Sequence, residues 1–482
     1  MSGLPFDLID AVLVIPLAAA VLLAILPGYR LTARLNVAAS LATFVAALFL
    51  LGERAAPGNY LVVDDLNNVF IVLTTFIGFT TSVFSASYIA HELETGRLTP
   101  LYLRFYHAMY QALMFAMNLG LLANNVGLMW VGIELATLTT VLMVGIYRTP
   151  EALEAAWKYF ILGSVGIALA LFGTILVYMA AEPVVGAGYD AMVWTTLMTH
   201  AAAFSPQLLN VAFVFLILGY GTKVGLVPMH AWLPDAHAEG PTPISAILSG
   251  LLLNVALYAV LRFKLLLVAN AAAIAPGPLM VTLGLVSLVF AAFMLYRRND
   301  IKRLFAYSSI EHMGIITFAF GIGGPLANFG GLLHMTLHSL TKSAIFFSVG
   351  HIAQAKGTQK ISSIHGLTES HPILGWSLVA GVVAIAGLPP LGVFMSEFLI
   401  VSSTFARAPL LAIPLVFGLL VAFGALTLRM TGLAFGRPDG AVGKVEASSV
   451  PLFAHLALVL LCGLYLPAQL VQWFQNVARI LG

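Results

Sequence analysis

Lys223 lies in the run VAFVFLILGYGTKVGLVPMHAW, with no other Lys, Arg, Asp or Glu from Val211 to Trp232. An ammonium in the middle of a bilayer is costly, and it survives where it faces a protein interior or a water-filled path. Gly219, Gly221, Gly225 and Pro228 weaken the helix around it. A charge beside a breakable backbone is how membrane proteins build ion pathways. Glu134, in GLMWVGIELATLTTVLMVGIY, is nine residues from Asn125. At about 1.5 Å per residue that is roughly 14 Å deep, near the midplane of a core about 30 Å thick. Fixed in one ion pair, Glu134 would be structural; paired with a lysine that can lose its proton, it becomes half of a switch. Glu397, in GLPPLGVFMSEFLIV, follows the break Gly387-Leu388-Pro389-Pro390. Such a break can admit water, although a helix-cap carboxylate near the surface would look the same.

His334, His338 and Lys342 are spaced i, i+4, i+8 in LLHMTLHSLTKSAIFF. That spacing stacks them on one helix face, about 6 Å apart along the axis. Two imidazoles in register can relay protons near neutral pH. Lys342 can join them or snorkel to the cytoplasmic edge. HxxxH on a helix can also hold Zn²⁺, but no acidic third ligand is local in sequence, and no metal is expected. Asn254, in SGLLLNVALYAVLRF, can hydrogen-bond a neighbouring helix or a water but cannot carry a proton. His312, in DIKRLFAYSSIEHMGII, stands behind the basic anchors Lys302 and Arg303 and reads as a relay for proton uptake. The stretch HAWLPDAHAEGPTP, 230–243, holds His230, Asp235, His237 and Glu239. It reads as a turn-rich cytoplasmic loop, either plain loop structure or a proton mouth.

These residues need a membrane around them, and composition supplies one. The chain has 482 residues, 60% hydrophobic and 9% charged, with mean hydropathy +0.99. That is an all-α polytopic membrane protein. The net charge of +2 argues against a nucleic-acid partner. An iron–sulfur cluster normally needs about four cysteines, and the single Cys462 rules out such a cluster or a disulfide framework in this chain. No cofactor is expected. Asp7 and Asp10 precede the first apolar run where a cleavable signal would be basic, so that run reads as a retained helix.

At about 20 apolar residues per span, the sequence predicts fourteen helices, starting near residues 8, 35, 66, 104, 125, 153, 207, 242, 277, 303, 326, 372, 410 and 450. The longest linker, near 182–206, holds one amphipathic turn. Lys and Arg orient the bundle. Fifteen fall on one side, among them Arg30, Arg97, Arg148, Arg297, Lys360 and Lys444. Five fall on the other: Arg54, Arg262, Lys264, Arg407 and Arg479. The basic side is cytoplasmic, which puts both termini on the periplasmic side of the inner membrane. Helix starts near 104 and 278 are 174 residues apart, as are Lys223 and Glu397. Two inverted five-helix repeats, with the seventh and twelfth helices broken, account for this spacing. The expected organisation is a three-helix segment 1–103, repeats 104–270 and 271–440, and a last helix in 441–482.

GTKVGLVPMHAWLPDAHAEGPTPISAIL, DIKRLFAYSSIEHMG and LPPLGVFMSEF resemble signatures of the antiporter-like family. That family comprises proton-pumping membrane subunits of respiratory complex I, Mrp cation/proton antiporter subunits and membrane subunits of group 4 [NiFe]-hydrogenases and formate hydrogenlyases. The resemblance covers nearly the whole chain. SSIEHMG, NNVGLMWVGIELATL and RTPEALEAAWKYFILGSVG look most like its hydrogenase-4 component F branch. It implies the fourteen-helix fold with inverted repeats, and a proton-translocating subunit of an energy-converting oxidoreductase complex. The implied partners are other membrane subunits and a peripheral redox arm. Glu134 matches the family's fifth-helix glutamate and Lys223 its broken-helix lysine. His334 and His338 match the eleventh-helix axis, and Glu397 the twelfth-helix terminal residue. The chain departs at Asn254, where many relatives carry a lysine or histidine. A gradient-driven cation/proton antiporter subunit and a non-pumping scaffold remain alternatives.

Overall fold

The computed structural model describes residues 8–52, 56–438 and 448–482. Asp7, Arg54, Lys444 and the expected segment limits at 1, 440 and 441 lie outside the described residues. In chain order the helices are α1 (Leu8–Ile25), α2 (Tyr29–Phe49), α3 (Asp65–Glu94), α4 (Pro100–Leu122), α5 (Val126–Val144) and α6 (Pro150–Val185). They continue with α7 (Trp194–His200), α8 (Pro206–Val224), α9 (Trp232–Glu239), α10 (Thr242–Ile247), α11 (Leu253–Val268), α12 (Gly277–Leu295) and α13 (Ile301–Ile322). The last are α14 (Pro325–Lys356), α15 (Leu367–Ser370), α16 (Pro372–Ile385), α17 (Gly392–Arg407), α18 (Pro409–Ala434), α19 (Val450–Leu464) and α20 (Ala468–Ile480). Among the described residues, nine helices are long and apolar enough to cross a membrane, α10 and α11 counting as one. Polar side chains set several starts. Asp64 and Asn67 form a reciprocal capping box at α3, and Asn125 accepts from the Gly127 and Leu128 amides at α5.

Four local readings change. The stretch 230–243 is not a loop: it contains α9, and Trp232, His237 and Pro243 are buried. Its charged residues suggested solvent, but neighbours satisfy them: Arg303 meets Asp235 at 3.1 Å and Glu239 at 3.3 Å, while Lys302 donates to the Ala238 and Gly240 carbonyls. The expected last helix is two helices, α19 and α20, bent by 81° at the Tyr465–Pro467 break. A π-turn, Leu248–Leu252, interrupts the span that was read as continuous before Asn254. Arg262 and Lys264 are not loop anchors; both are buried in α11.

The chain divides into two compact units, 1–224 with 251–276, and 225–250 with 277–482. In the first, α6 and α8 approach through small residues, as membrane helices do. A Cβ at Gly166 would stand 2.6 Å from Thr222 Cβ, one at Gly173 would stand 2.7 Å from Leu216 Cγ, and one at Gly219 would overlap the Ala170 backbone. The same unit holds the Arg262 cluster. Its guanidinium lies 2.6 Å from Asp64 Oδ2, donates to Tyr258 Oη at 2.8 Å and covers the Trp194 ring at 5.1 Å. In the second unit, Gly284 and Gly314 bring α12 and α13 together, each Cβ position within 2.7 Å of the other's carbonyl oxygen. Leu288, Ile315, Phe318, Ile400 and Leu415 fill the core where α12, α13, α17 and α18 meet.

Asp64 caps α3 ahead of its first turn. Burial works to raise its pKa, and the Arg262 charge with the Asn67 amide outweighs that, leaving it below the ordinary aspartate value. A carboxyl depressed in the folded state contributes stability above its unfolded pKa, about 3.9, and loses it as pH falls through the folded value. Arg262→Gln is therefore expected to cost about 2 kcal/mol at neutral pH. That difference from the wild type shrinks as the buffer is taken below the aspartate range. Thermal unfolding of both proteins in detergent against pH reads it directly.

Candidate functional site

In the first unit, α5, α6 and α8 together position one lysine. Lys223 stands at the end of α8, just before Gly225, whose φ of +83° ends the helix in a conformation suited to glycine. Its side chain is only 1% exposed. The ammonium donates to Thr137 Oγ1 at 2.8 Å and lies 3.7 Å from Glu134 Oε2, beyond hydrogen-bond reach. The Tyr159 ring lies 5.8 Å away. A Cβ at Gly163 would come within 2.8 Å of Lys223 Nζ, so that glycine makes room for the ammonium. Glu134 and Thr137 sit three residues apart on α5, hence on one face. Lys223 thus hydrogen-bonds a neutral hydroxyl and feels Glu134 through space. Small rotamer changes can exchange these partners without unfolding anything.

Asn254 is buried on α11 of this unit. Lys264, ten residues further along the same helix, is buried as well. From the sequence it reads as a charge of the loops on the less basic side.

In the second unit, α13, α14 and α17 assemble a histidine–carboxylate cluster. His312 Nδ1 and His334 Nε2 are 2.9 Å apart with their rings stacked. The His338 ring centroid is 5.4 Å from that of His312. His334 Nδ1 meets Ser396 Oγ at 3.0 Å, and His312 Nε2 faces Glu311 Oε2 at 3.3 Å. Lys342 is fully buried and donates to the Phe305 carbonyl at 3.1 Å, so it does not snorkel. Glu397 lies half-buried beside a cavity of about 300 Å³ that Glu311 also lines. Gly387, at φ +67°, leaves space that a Cβ would take from the Glu397 carboxylate.

The expected uptake residues divide. His312 belongs to the centre of the cluster rather than to a surface. His237 is buried, stacked on Phe346 at 5.0 Å, with neither ring nitrogen hydrogen-bonded. His230 packs edge-on against Phe290 at 4.9 Å. Asp235, tied to Arg303, keeps partial exposure. Sequence reasoning did not single out Thr137 or Ser396. Thr137 looks like an ordinary membrane-helix threonine bonding its own backbone, and Ser396 meets His334 only where α14 and α17 pack. Glu311, next to His312 in the chain, joins the cluster through His312 Nε2 at 3.3 Å and the cavity it shares with Glu397.

A sequence profile described as NADH:quinone oxidoreductase/Mrp antiporter, TM, matches residues 123–422, the stretch that runs from before Glu134 to beyond Glu397. The chain belongs to this family. A hydrogenase-4 component F homolog from Methylacidiphilum infernorum (isolate V4) is 62% identical, over 98% of this chain and 99% of its own. Two solved structures share the family fold. One is a chain of the membrane-bound sulfane sulfur reductase, an archaeal respiratory membrane complex. It has a TM-score of 0.87 at 22% identity, covering 98% of this chain and 97% of that one. The other belongs to the Mrp complex of Dietzia sp. DQ12-45-1b, with a TM-score of 0.84 at 19% identity, covering 98% and 96%. The chain is a multi-pass membrane member of the family.

Proposed function

We propose that this chain is a proton-translocating, antiporter-like subunit of an energy-converting oxidoreductase complex of the hydrogenase or complex I type. The buried Lys223, held by Thr137 and facing Glu134 at 3.7 Å, carries this reading. Opposite charges at that distance interact by about 4 kcal/mol at an effective dielectric of about 20. A signal from a neighbouring redox subunit that draws Glu134 away removes this attraction. Lys223 then gives up its proton more readily, and the ion pair re-forms when it is recharged. Glu134 and Lys223 act as the switch, and His334, His338, Lys342 and Glu397 as the relay, with His312 joining them. Asn254 holds helices or water rather than a proton. His230, Asp235 and His237 line the uptake side.

The proposed architecture is fourteen spans, with 104–270 and 271–440 as inverted repeats after a three-helix segment 1–103. Both termini face the periplasm. The burial of Arg262 and Lys264 supports that orientation, because it removes two charges from the poorer side of the basic asymmetry. The 62% identity with a hydrogenase-4 component F homolog supports a hydrogenase-type assembly with a peripheral redox arm as the partner.

The test uses the complex containing this subunit, reconstituted in liposomes. Glu134→Gln keeps the shape and removes the charge, and is expected to slow redox-driven proton uptake at least tenfold while electron transfer continues. Uptake at the wild-type rate overturns the switch.

A further inference from the structure

We propose that His312, His334 and Glu397 form a binding site for one divalent transition-metal ion of the Zn²⁺ type. Three helices supply the donors: α13 brings His312, α14 His334 and α17 Glu397, with one ligand atom from each lying within 4.8 Å of the others. Bonds of about 2.0–2.1 Å place two donors on a tetrahedral ion about 3.3 Å apart. The two imidazole nitrogens, at 2.9 Å, need to open by a few tenths of an ångström, and the carboxylate to swing inward. The cavity beside Glu397 gives it room to move. On sequence alone His334 lacked an acidic co-ligand; the fold brings Glu397 to it from more than sixty residues away.

Proton positions around the two rings point the same way. Ser396 Oγ–H donates to the Val393 carbonyl at 2.7 Å, so toward His334 Nδ1 the hydroxyl oxygen accepts. His334 therefore carries its proton on Nδ1 and turns a lone pair from Nε2 toward His312. His312 Nε2 lies 3.3 Å from Glu311 Oε2 without hydrogen-bond geometry, and the ring's Nδ1 faces that lone pair. The 2.9 Å contact is an N–H···N hydrogen bond between the rings, whose single proton a metal ion bound by both nitrogens displaces. Metal-binding histidines show this pattern: one nitrogen points at the ion and the other is fixed by a carboxylate or another polar group.

An ion held by both lone pairs takes the imidazoles out of proton exchange. The site would thus stop translocation when filled, a consequence that rests on the proposed function, whereas binding itself does not.

The experiment titrates Co²⁺, then Zn²⁺, into the full-length chain in nanodiscs. One Co²⁺ per chain is expected, with the visible absorption of a four-coordinate ion, displaced by Zn²⁺. His334→Gln is expected to weaken binding more than a hundredfold. Ser396→Ala, a milder change that keeps all three ligands, should weaken it about tenfold. Absence of bound Co²⁺ in the wild type overturns the site. So does unaltered affinity in Ser396→Ala and in whichever ligand variant keeps the wild-type unfolding temperature. Zn²⁺ inhibition of proton uptake is read separately in the reconstituted complex. Binding without inhibition leaves the metal site standing and counts against the relay.

Discussion

Replacing Lys223 with alanine is expected to abolish redox-driven proton uptake by the reconstituted complex, while electron transfer continues at a reduced rate. The residue has no substitute where it sits. Its ammonium is buried between α5, α6 and α8, and among the described residues Glu134 is its one ion-pair partner. Without the cation, Glu134 loses the attraction that stabilises its charged form and takes up a proton in apolar surroundings. Both halves of the switch are then neutral, and a displacement of Glu134 no longer changes any proton's energy. A pH-sensitive dye inside the liposomes reports uptake, and substrate consumption reports electron transfer. Wild-type uptake in Lys223→Ala would exclude Lys223 as the coupling residue.

Gly219→Leu is expected to do smaller but clear damage without touching a titratable group. Gly219 packs against the backbone of Gly166 and Ala170, and any Cβ there overlaps the Ala170 amide. Backbone cannot yield as a flexible side chain can, so α8 must move away from α6. Overpacking of this kind costs about 1–3 kcal/mol. The displacement also carries Lys223, one turn further on, away from the pocket that Gly163 opens for it. The expected result is a lower unfolding temperature and proton uptake reduced several-fold, with Gly219→Ala intermediate in both. Full uptake in Gly219→Leu would mean that the α6–α8 contact does not set the lysine's position.

The two centres were legible to different degrees. The Lys223 centre was the easier, because charge in an apolar run is visible one residue at a time and Glu134 stood out in the same way. Thr137 was hidden, since a threonine in a membrane helix usually bonds its own backbone, as Thr137 also does to the Ile133 carbonyl at 3.0 Å. In the second centre, the His334–His338 register could be read from helical spacing. Its completion by His312 and Ser396 could not, because those residues come from other helices. The stretch 230–243 misled for a related reason: Asp235, His237 and Glu239 look solvated until Arg303, Lys302 and Phe346 are seen to cover them.

By itself the sequence determined that this is a multi-pass helical membrane protein without the cysteines for a cluster. It also placed a lysine, a glutamate and a histidine pair inside apolar runs, where bare lipid would not tolerate them. Those conclusions rest on local hydropathy and on the cost of burying charge, both properties of short segments. The tertiary structure decided which of these groups meet. It put Thr137 between Lys223 and full pairing with Glu134, buried Arg262 on Asp64, and gathered His312, His334 and Glu397 around one point. Such meetings depend on which small residues let two helices approach, and on where a glycine or a π-turn bends a span. They are set by packing between segments distant in the chain, and no single window of sequence contains them.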